Sequence, residues 1–180
     1  GSSLIIGNNS NLINTNFLTK LVTEIAKFKN SGKEILLVSS GALALGKKSL
    51  GIEKKKLKVS EKQAAASVGQ VLLINAWKKA FLKYKKQCGQ ILLTHLDAEI
   101  RSSSINARNT IEALIKLNSI PVINENDTIA TQELRYGDND QLAARVAQIT
   151  SSDLLILLSD VDGLYTSNPK KDNNAKLVKY

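Results

Sequence analysis

The chain has 180 residues, 43% of them hydrophobic, which suffices for one core and lies within the usual range of a single domain. Its formal net charge of +9 comes mainly from lysine-rich stretches, and with three Phe, four Tyr and one Trp it has few side chains on which bases can stack, so nucleic-acid binding is disfavoured. One cysteine excludes an internal disulfide framework, and no apolar run reaches the length of a membrane span. These features predict a cytoplasmic protein that binds neither nucleic acid nor membrane.

Apolar residues predict helices and strands that alternate along the chain. Leu18, Val22 and Ile25 recur at helical spacing in the first helix, and Ser31 with Gly32 ends the pattern. The expected helices cover residues 15–30, 41–50, 61–84, 103–117 and 139–150, and the expected strands cover 34–38, 91–94, 120–124 and 154–159. Short apolar strands separated by helices predict an α/β fold with a mainly parallel sheet, covered on both faces.

Polar residues follow three of the expected strands. Ser39-Ser40-Gly41 follows the first, Asn124-Glu125-Asn126-Asp127 closes the third, and Ser159-Asp160 closes the fourth. Open α/β sheets bind their ligands outside the carboxyl ends of their strands. We therefore expect the three strand ends to converge on a small-molecule site.

Each of these segments also has a purely structural interpretation. Ser40-Gly41-Ala42 can present helix N–H groups to a carboxylate or phosphate, or Ser40 can simply cap the helix. Asp127 can accept hydrogen bonds from an ammonium group, or it can belong to an Asx-turn. Asp138-Asn139-Asp140 can likewise be an ordinary capped helix start.

Motifs of several other enzyme classes are absent from the chain. It contains neither G-x-x-x-x-G-K-[ST] nor G-x-G-x-x-G between a strand and a helix. It also contains no H-E-x-x-H and no G-x-S-x-G, and His95 is its single histidine. Zinc hydrolases and serine hydrolases are therefore disfavoured.

A set of segments resembles the glutamate 5-kinases within the amino-acid kinase family. These segments are V-S-S-G-A-L-A-L-G, N-A-R-N-T, P-V-I-N-E-N-D, G-D-N-D-Q-L-A-A and L-L-S-D-V-D-G-L-Y-T-S-N-P, and they span nearly the whole chain. The resemblance implies a three-layer αβα sandwich. It also implies ATP-dependent phosphorylation of the side-chain carboxylate of L-glutamate to L-glutamyl 5-phosphate, the first step toward proline, with magnesium accompanying ATP.

The same resemblance implies roles for individual residues. The positions that match glutamate-binding residues are Ser40, Asp127 and Asn139. Among these, Asp127 suits the α-ammonium group of the substrate. Asp140 matches the aspartate that orients the catalytic lysines, and Ser159 with Asp160 matches part of the ATP site. No metal ligand is assigned.

The two phosphate-neutralising lysines of the resembled family are not visible in the chain. Gly1-Ser2-Ser3-Leu4 resembles the turn that follows a first strand ending in Lys-x-Gly, and the second lysine belongs to a segment beyond Tyr180. We therefore expect residues 1–180 to form one amino-acid kinase domain, incomplete in its first strand and in the rest of its ATP-binding part. As it stands, such a chain is expected to bind glutamate but to be impaired in catalysis.

The sequence is also compatible with other functions. One is an amino-acid kinase that acts on N-acetylglutamate, aspartate or UMP, although the pair N-E-N-D and G-D-N-D argues against it. Another is a nonenzymatic sensor of glutamate or proline. The long helix over 61–84 offers a subunit contact, so we expect a homo-oligomer, while Trp77 on it is expected in the core. Feedback inhibition by proline is common in the resembled family, but no residue here establishes it.

Overall fold

The structure is a computed structural model that describes residues 2–7, 12–53, 56–130, 139–159, 163–167, 169 and 172–178. Its helices are α1 (Ser2–Ile5), α2 (Thr15–Asn30), α3 (Ala42–Ser49), α4 (Val59–Leu82), α5 (His95–Glu99), α6 (Arg101–Lys116) and α7 (Asn139–Ile149). Its strands are β1 (Leu37–Val38), β2 (Gln87–Leu93) and β3 (Ser119–Glu125). Among these helices none is both long and apolar enough to cross a bilayer.

The described sheet is parallel, with β3 between β1 and β2. Leu37 lies opposite Val122, and the β2 register runs from Gln87 opposite Ser119 to Leu93 opposite Glu125. Every residue of β3 is buried, because this strand has neighbours on both edges and helices on both faces. The predicted α/β class and parallel sheet are confirmed.

Helices cover the sheet in two layers. On one face, α2, α3 and α4 enclose a core with Ile120 and Val122, in which Trp77 stacks on Phe81 with ring centroids 5.9 Å apart. On the other face, α6 and α7 pack around Ile123 and residues of β2. The odd and even positions of β3 thus serve different cores, which gives the three-layer arrangement. Trp77 lies in the core, as predicted.

The longer helices lie close to their predicted bounds. Helix α2, the first of the longer helices, begins where the Asn14 side chain accepts a hydrogen bond from the Phe17 N–H at 3.1 Å. Its end is followed by Gly32, which has a positive φ. The short helix α5 was not predicted, since five residues are too few to show an apolar period. Its start is instead fixed by a reciprocal capping pair of Thr94 and Asp97.

The prediction of a strand over 154–159 was wrong for the sheet that the structure describes. The run from Leu154 to Leu158 belongs to none of its strands, and Leu154 is 74% exposed. An apolar run indicates that a segment prefers burial, but a strand also needs a neighbour to complete its ladder, and the run does not identify that neighbour. The first strand is shortened for a related reason, since in the sheet that the structure describes β1 is paired only with β3.

Two glycines let α3 and α4 touch backbone to backbone. A Cβ atom on Gly46 would lie 1.7 Å from the carbonyl oxygen of Ala65, and one on Gly69 would lie 1.7 Å from that of Ala42. No side chain larger than hydrogen fits at either position. This close approach sets how near α4 lies to the end of β1, where α3 begins.

We predict that Gly69→Ala lowers the free energy of unfolding by about 3 kcal/mol or more, because the new methyl group forces the two helices apart. Urea unfolding of the 180-residue chain measures the loss. Gly32→Ala is the matched control: nothing lies within 4 Å of its Cβ, and its φ of +84° costs about 1 kcal/mol of backbone strain. Equal losses in the two variants would contradict the close contact.

Candidate functional site

The carboxyl ends of the three described strands lie along one edge of the sheet. The Ser39 N–H donates to the carbonyl of Ile123 at 2.8 Å and extends the pairing of β1 with β3. The Asn126 N–H donates to the carbonyl of Leu93 at 2.9 Å and joins the ends of β3 and β2. The predicted convergence is therefore confirmed for the segments after β1 and β3, while Ser159 follows a run outside the described sheet.

A chain of side-chain amides connects four elements at this edge. Asn139, the first residue of α7, donates from Nδ2 to the carbonyl of Ser39 at 2.6 Å and to Oδ1 of Asn124 at 2.7 Å. Asn124, near the end of β3, donates in turn from Nδ2 to Oε1 of Gln70 on α4 at 2.6 Å. The chain holds α7, β1, β3 and α4 in one arrangement.

The hydrogen bonds of Asn139 determine what it can offer a ligand. A backbone carbonyl only accepts, so the Asn139 atom that faces Ser39 must be its nitrogen, and the amide cannot be flipped. Both hydrogens of that nitrogen are used within the protein. Its oxygen is left as an acceptor, which suits an ammonium group and cannot hold a carboxylate.

Ser39 and Ser40 are held where β1 meets α3. The Trp77 indole N–H donates to Oγ of Ser39 at 3.0 Å, and Ser39 is almost fully buried. Ser40 is partly buried, and it does not cap α3: the capping residue is Gly41, whose φ is +110° and which makes no side-chain cap. The interpretation of Ser40 as a helix cap was therefore wrong, and its hydroxyl is not used for that purpose.

A small open pocket lies between α4 and the segment that follows β3. It has an empty volume of about 170 Å³, and its lining residues are Ala66, Ser67, Gln70, Leu92, Glu125, Asn126, Asp127 and Thr128. Six of its eight lining residues carry polar side chains, so the part formed by the described residues suits a small polar metabolite.

The electrostatics of this pocket centre on Asp127. Partial burial, and then the negative charge of Glu125, raise the pKa of the Asp127 carboxyl to about 6. Within the described residues, the Asp127 carboxylate has no hydrogen-bonding or ion-pair partner. A partly desolvated carboxylate without a cationic partner is an unfavourable arrangement that a cationic ligand would relieve.

The turn after β3 is stabilised by a neighbour of Asp127. Asn126 accepts from the Thr128 hydroxyl through its side chain and from the Ile129 and Ala130 N–H groups through its carbonyl. An internal turn network therefore exists, but it uses Asn126. Asp127 stays available to the pocket.

Sequence reasoning assigned no role to two residues at this edge. Glu125 was predicted as part of the polar cluster that closes the third strand, and the structure places it in the pocket lining with only 3% of its surface exposed. Gln70 did leave a signal: it lies four residues after Ala66 and three before Leu73, both buried, so it is a polar residue on the apolar face of α4.

The residues assigned to phosphoryl transfer are not assembled to the same degree. Asp140 is exposed in the first turn of α7, beside Asn139. Ser159 is exposed, and Asp160, like Gly137 and Asp138 of the G-D-N-D motif, lies outside the described residues. In the part of the chain that the structure describes, no three His, Cys, Asp or Glu side chains are grouped to hold a metal ion.

Comparison with known proteins identifies the family. The model of the amino acid kinase family matches residues 1–180. A glutamate 5-kinase of Rhodospirillum rubrum is 48% identical over 178 residues, with 99% of this chain and 48% of that protein covered. A glutamate 5-kinase of Pelagibacter ubique is 51% identical over 179 residues, again with 99% and 48% covered. The chain thus spans about half the length of the curated relatives it matches.

Solved structures share the fold at low sequence identity. An isopentenyl phosphate kinase of T. acidophilum is 18% identical with a TM-score of 0.63, over 99% of this chain and 76% of that one. A UMP kinase from Ureaplasma parvum is 18% identical with a TM-score of 0.59, over 98% of this chain and 71% of that one. These likenesses support the three-layer α/β architecture.

The raised pKa of Asp127 predicts a cost in stability. Between the ordinary pKa of an aspartate and about 6, the folded chain holds a proton that the unfolded chain releases, so stability falls as pH rises through this range and stays lower above it. We predict that Asp127→Asn raises the free energy of unfolding at pH 7.5 by on the order of 1 kcal/mol. The gain should shrink at pH 4.5.

Urea unfolding at both pH values measures this difference. Asp153→Asn is the control, since Asp153 is exposed just after α7 and its replacement should change stability little at either pH. A loss of stability in Asp127→Asn at pH 7.5 would show that the carboxylate has a stabilising partner, contrary to the geometry described above.

Proposed function

The chain belongs to the amino acid kinase family, and on that basis we propose that it forms the acceptor-binding part of an enzyme that phosphorylates the side-chain carboxylate of L-glutamate. The product is L-glutamyl 5-phosphate, the first intermediate toward proline. The relatives that cover this chain at about half identity are named glutamate 5-kinases, which supports the proposal.

The carboxylate of Asp127, which has no hydrogen-bonding or ion-pair partner among the described residues, carries this proposal. It lies in a small pocket with Glu125, and its raised pKa is consistent with the lack of a cationic group beside it in the described part of the chain. An α-ammonium group supplies such a cation. Asn139, with only an acceptor oxygen left to offer, is a second group of the kind that receives an ammonium.

This chemistry distinguishes the candidate acceptors. In N-acetylglutamate the nitrogen is an uncharged amide, and UMP has no ammonium group, so neither neutralises Asp127. Aspartate keeps the ammonium, but its shorter side chain places the reactive carboxylate at a different distance from the site. Glutamate is therefore the preferred acceptor, and Ser40 is the proposed third contact at the end of β1.

The phosphoryl donor is proposed to be ATP with magnesium, as in other kinases. The described residues do not by themselves form a site for either group: Ser159 is exposed and no metal-binding group of side chains is present among them. Asp140 lies at the start of α7, next to an acceptor-site residue. Its proposed task is to orient the cationic groups that neutralise the transferred phosphoryl group.

The proposal extends to the setting in which the protein works. We expect a homo-oligomeric cytoplasmic enzyme of amino-acid biosynthesis, and the exposed Val68 and Val71 on α4 are apolar residues available for a subunit contact. Proline also carries an ammonium and a carboxylate on one carbon atom. The chemistry of the pocket is therefore compatible with proline as a competing ligand.

Binding of L-glutamate to the 180-residue chain tests the proposal directly. We predict that glutamate raises the melting temperature, since a ligand that binds only the folded state stabilises it. N-acetylglutamate and UMP at the same ionic strength should produce no comparable rise, and Asp127→Asn should lose the response to glutamate. Stabilisation by N-acetylglutamate or UMP in preference to glutamate would overturn the assignment.

The pKa of Asp127 also predicts a pH dependence of binding. Below about pH 6 the carboxyl is protonated and must lose its proton before it receives an ammonium group, so glutamate affinity should fall by up to about tenfold per pH unit. Above about pH 7 the affinity should be constant. Calorimetric titration between pH 5 and pH 8 measures this profile, with circular dichroism confirming that the chain stays folded. A flat profile would remove Asp127 from the site.

A further inference from the structure

We propose that Gln70 is a specificity-determining residue that donates from Nε2 to the α-carboxylate of the bound amino acid. This inference rests on the proposed function, because it deepens the assignment of the same pocket. Gln70 lies on α4 directly after Gly69, and it lines the pocket together with Asp127.

The orientation of the Gln70 amide follows from a relay that begins at a backbone atom. The backbone carbonyl of Ser39 can only accept, so the side-chain nitrogen of Asn139 must face it. That nitrogen also donates to the side-chain oxygen of Asn124. The side-chain nitrogen of Asn124 therefore faces Gln70. The Gln70 atom that accepts its hydrogen bond, at 2.6 Å, must be the side-chain oxygen. Each amide fixes the orientation of the next, so the side-chain nitrogen of Gln70 faces away from Asn124.

The freed amide nitrogen of Gln70 has no protein partner among the described residues. Asp127, which has no cationic partner among the described residues, lines the same pocket and repels an incoming anion when ionised. An amino acid brings its α-carboxylate into this pocket whenever its ammonium meets Asp127, since both groups are bonded to one carbon atom. A donor is needed there, and Gln70 supplies one whose direction is set before the ligand arrives.

Other lining residues are less suited to this task. The Thr128 hydroxyl donates to Asn126, and Ser67 is exposed. Gln70 is partly buried and is held by a hydrogen bond to a nearly fully buried asparagine. Preorganised donors lose little freedom on binding, which makes their contribution to selectivity larger.

Gln70→Glu tests the proposal, because it changes one atom of the side chain. The new carboxylate still accepts from Asn124, but it replaces the donor in the pocket by a negatively charged acceptor. We expect its affinity for L-glutamate to fall by about tenfold or more. We also expect its preference for L-glutamate over L-isoglutamine, in which the α-carboxylate is a carboxamide, to fall at least as much, since an amide can donate to the new carboxylate.

The affinities are measured by calorimetric titration of the 180-residue chain with both ligands. Asn75→Asp is the matched control: it places the same charge on an exposed position of α4, and it should leave both affinities unchanged. Should Gln70→Glu fail to fold, Gln70→Leu removes the donor without adding charge, and a smaller loss of preference is expected, because leucine offers no acceptor to the ligand amide.

The outcomes separate this inference from the proposed function. If the unmodified chain does not bind glutamate, the proposed function fails and this inference fails with it. If the unmodified chain binds glutamate and the preference of the Gln70 variant is unchanged, only the role of Gln70 is overturned. An equal loss for both ligands also overturns it, because that result indicates a purely structural role.

Discussion

The backbone contact between α3 and α4 is the constraint on which the site depends. Gly46 and Gly69 leave no space for a Cβ atom, so the two helices lie as close as their main chains allow. Gln70 follows Gly69 directly and accepts a hydrogen bond from the side-chain amide of Asn124 at 2.6 Å. Farther along the same helix, Trp77 reaches Ser39. One steric contact therefore positions the helix whose side chains bond to both ends of the amide relay.

The site combines fixed amides with an uncompensated carboxylate. The relay from Ser39 through Asn139 and Asn124 to Gln70 fixes the orientation of each amide, so that Asn139 is left with an acceptor oxygen and Gln70, which lines the pocket, is left with a donor nitrogen. Asp127 has the opposite character, since burial and a neighbouring negative charge keep its pKa raised. Such an arrangement costs folding stability and favours a cationic ligand, a balance that is common at binding sites.

The described residues form more of the proposed acceptor site than of the proposed nucleotide site. The ends of β1 and β3 and the start of α7 are joined by hydrogen bonds at one edge of the sheet. By contrast, the apolar run from Leu154 to Leu158 lies outside the described sheet, and Ser159 at its end is exposed. Glutamate binding is therefore the property that this chain can be tested for most directly.

The sequence by itself determined the alternation of helices and strands and the parallel sheet, and it predicted polar clusters at Asn124, Asp127 and Asn139. The spacing of apolar residues and the grouping of polar ones can both be seen in short stretches of sequence. The sequence could not place Gln70, since the partner of that amide lies 54 positions away along the chain. Nor could it show that Gly41 rather than Ser40 caps α3, or that the run over 154–158 lacks a place in the described sheet. Hydrogen-bond partners, strand neighbours and the raised pKa of Asp127 are set by groups that meet only in three dimensions, so the tertiary structure decided them.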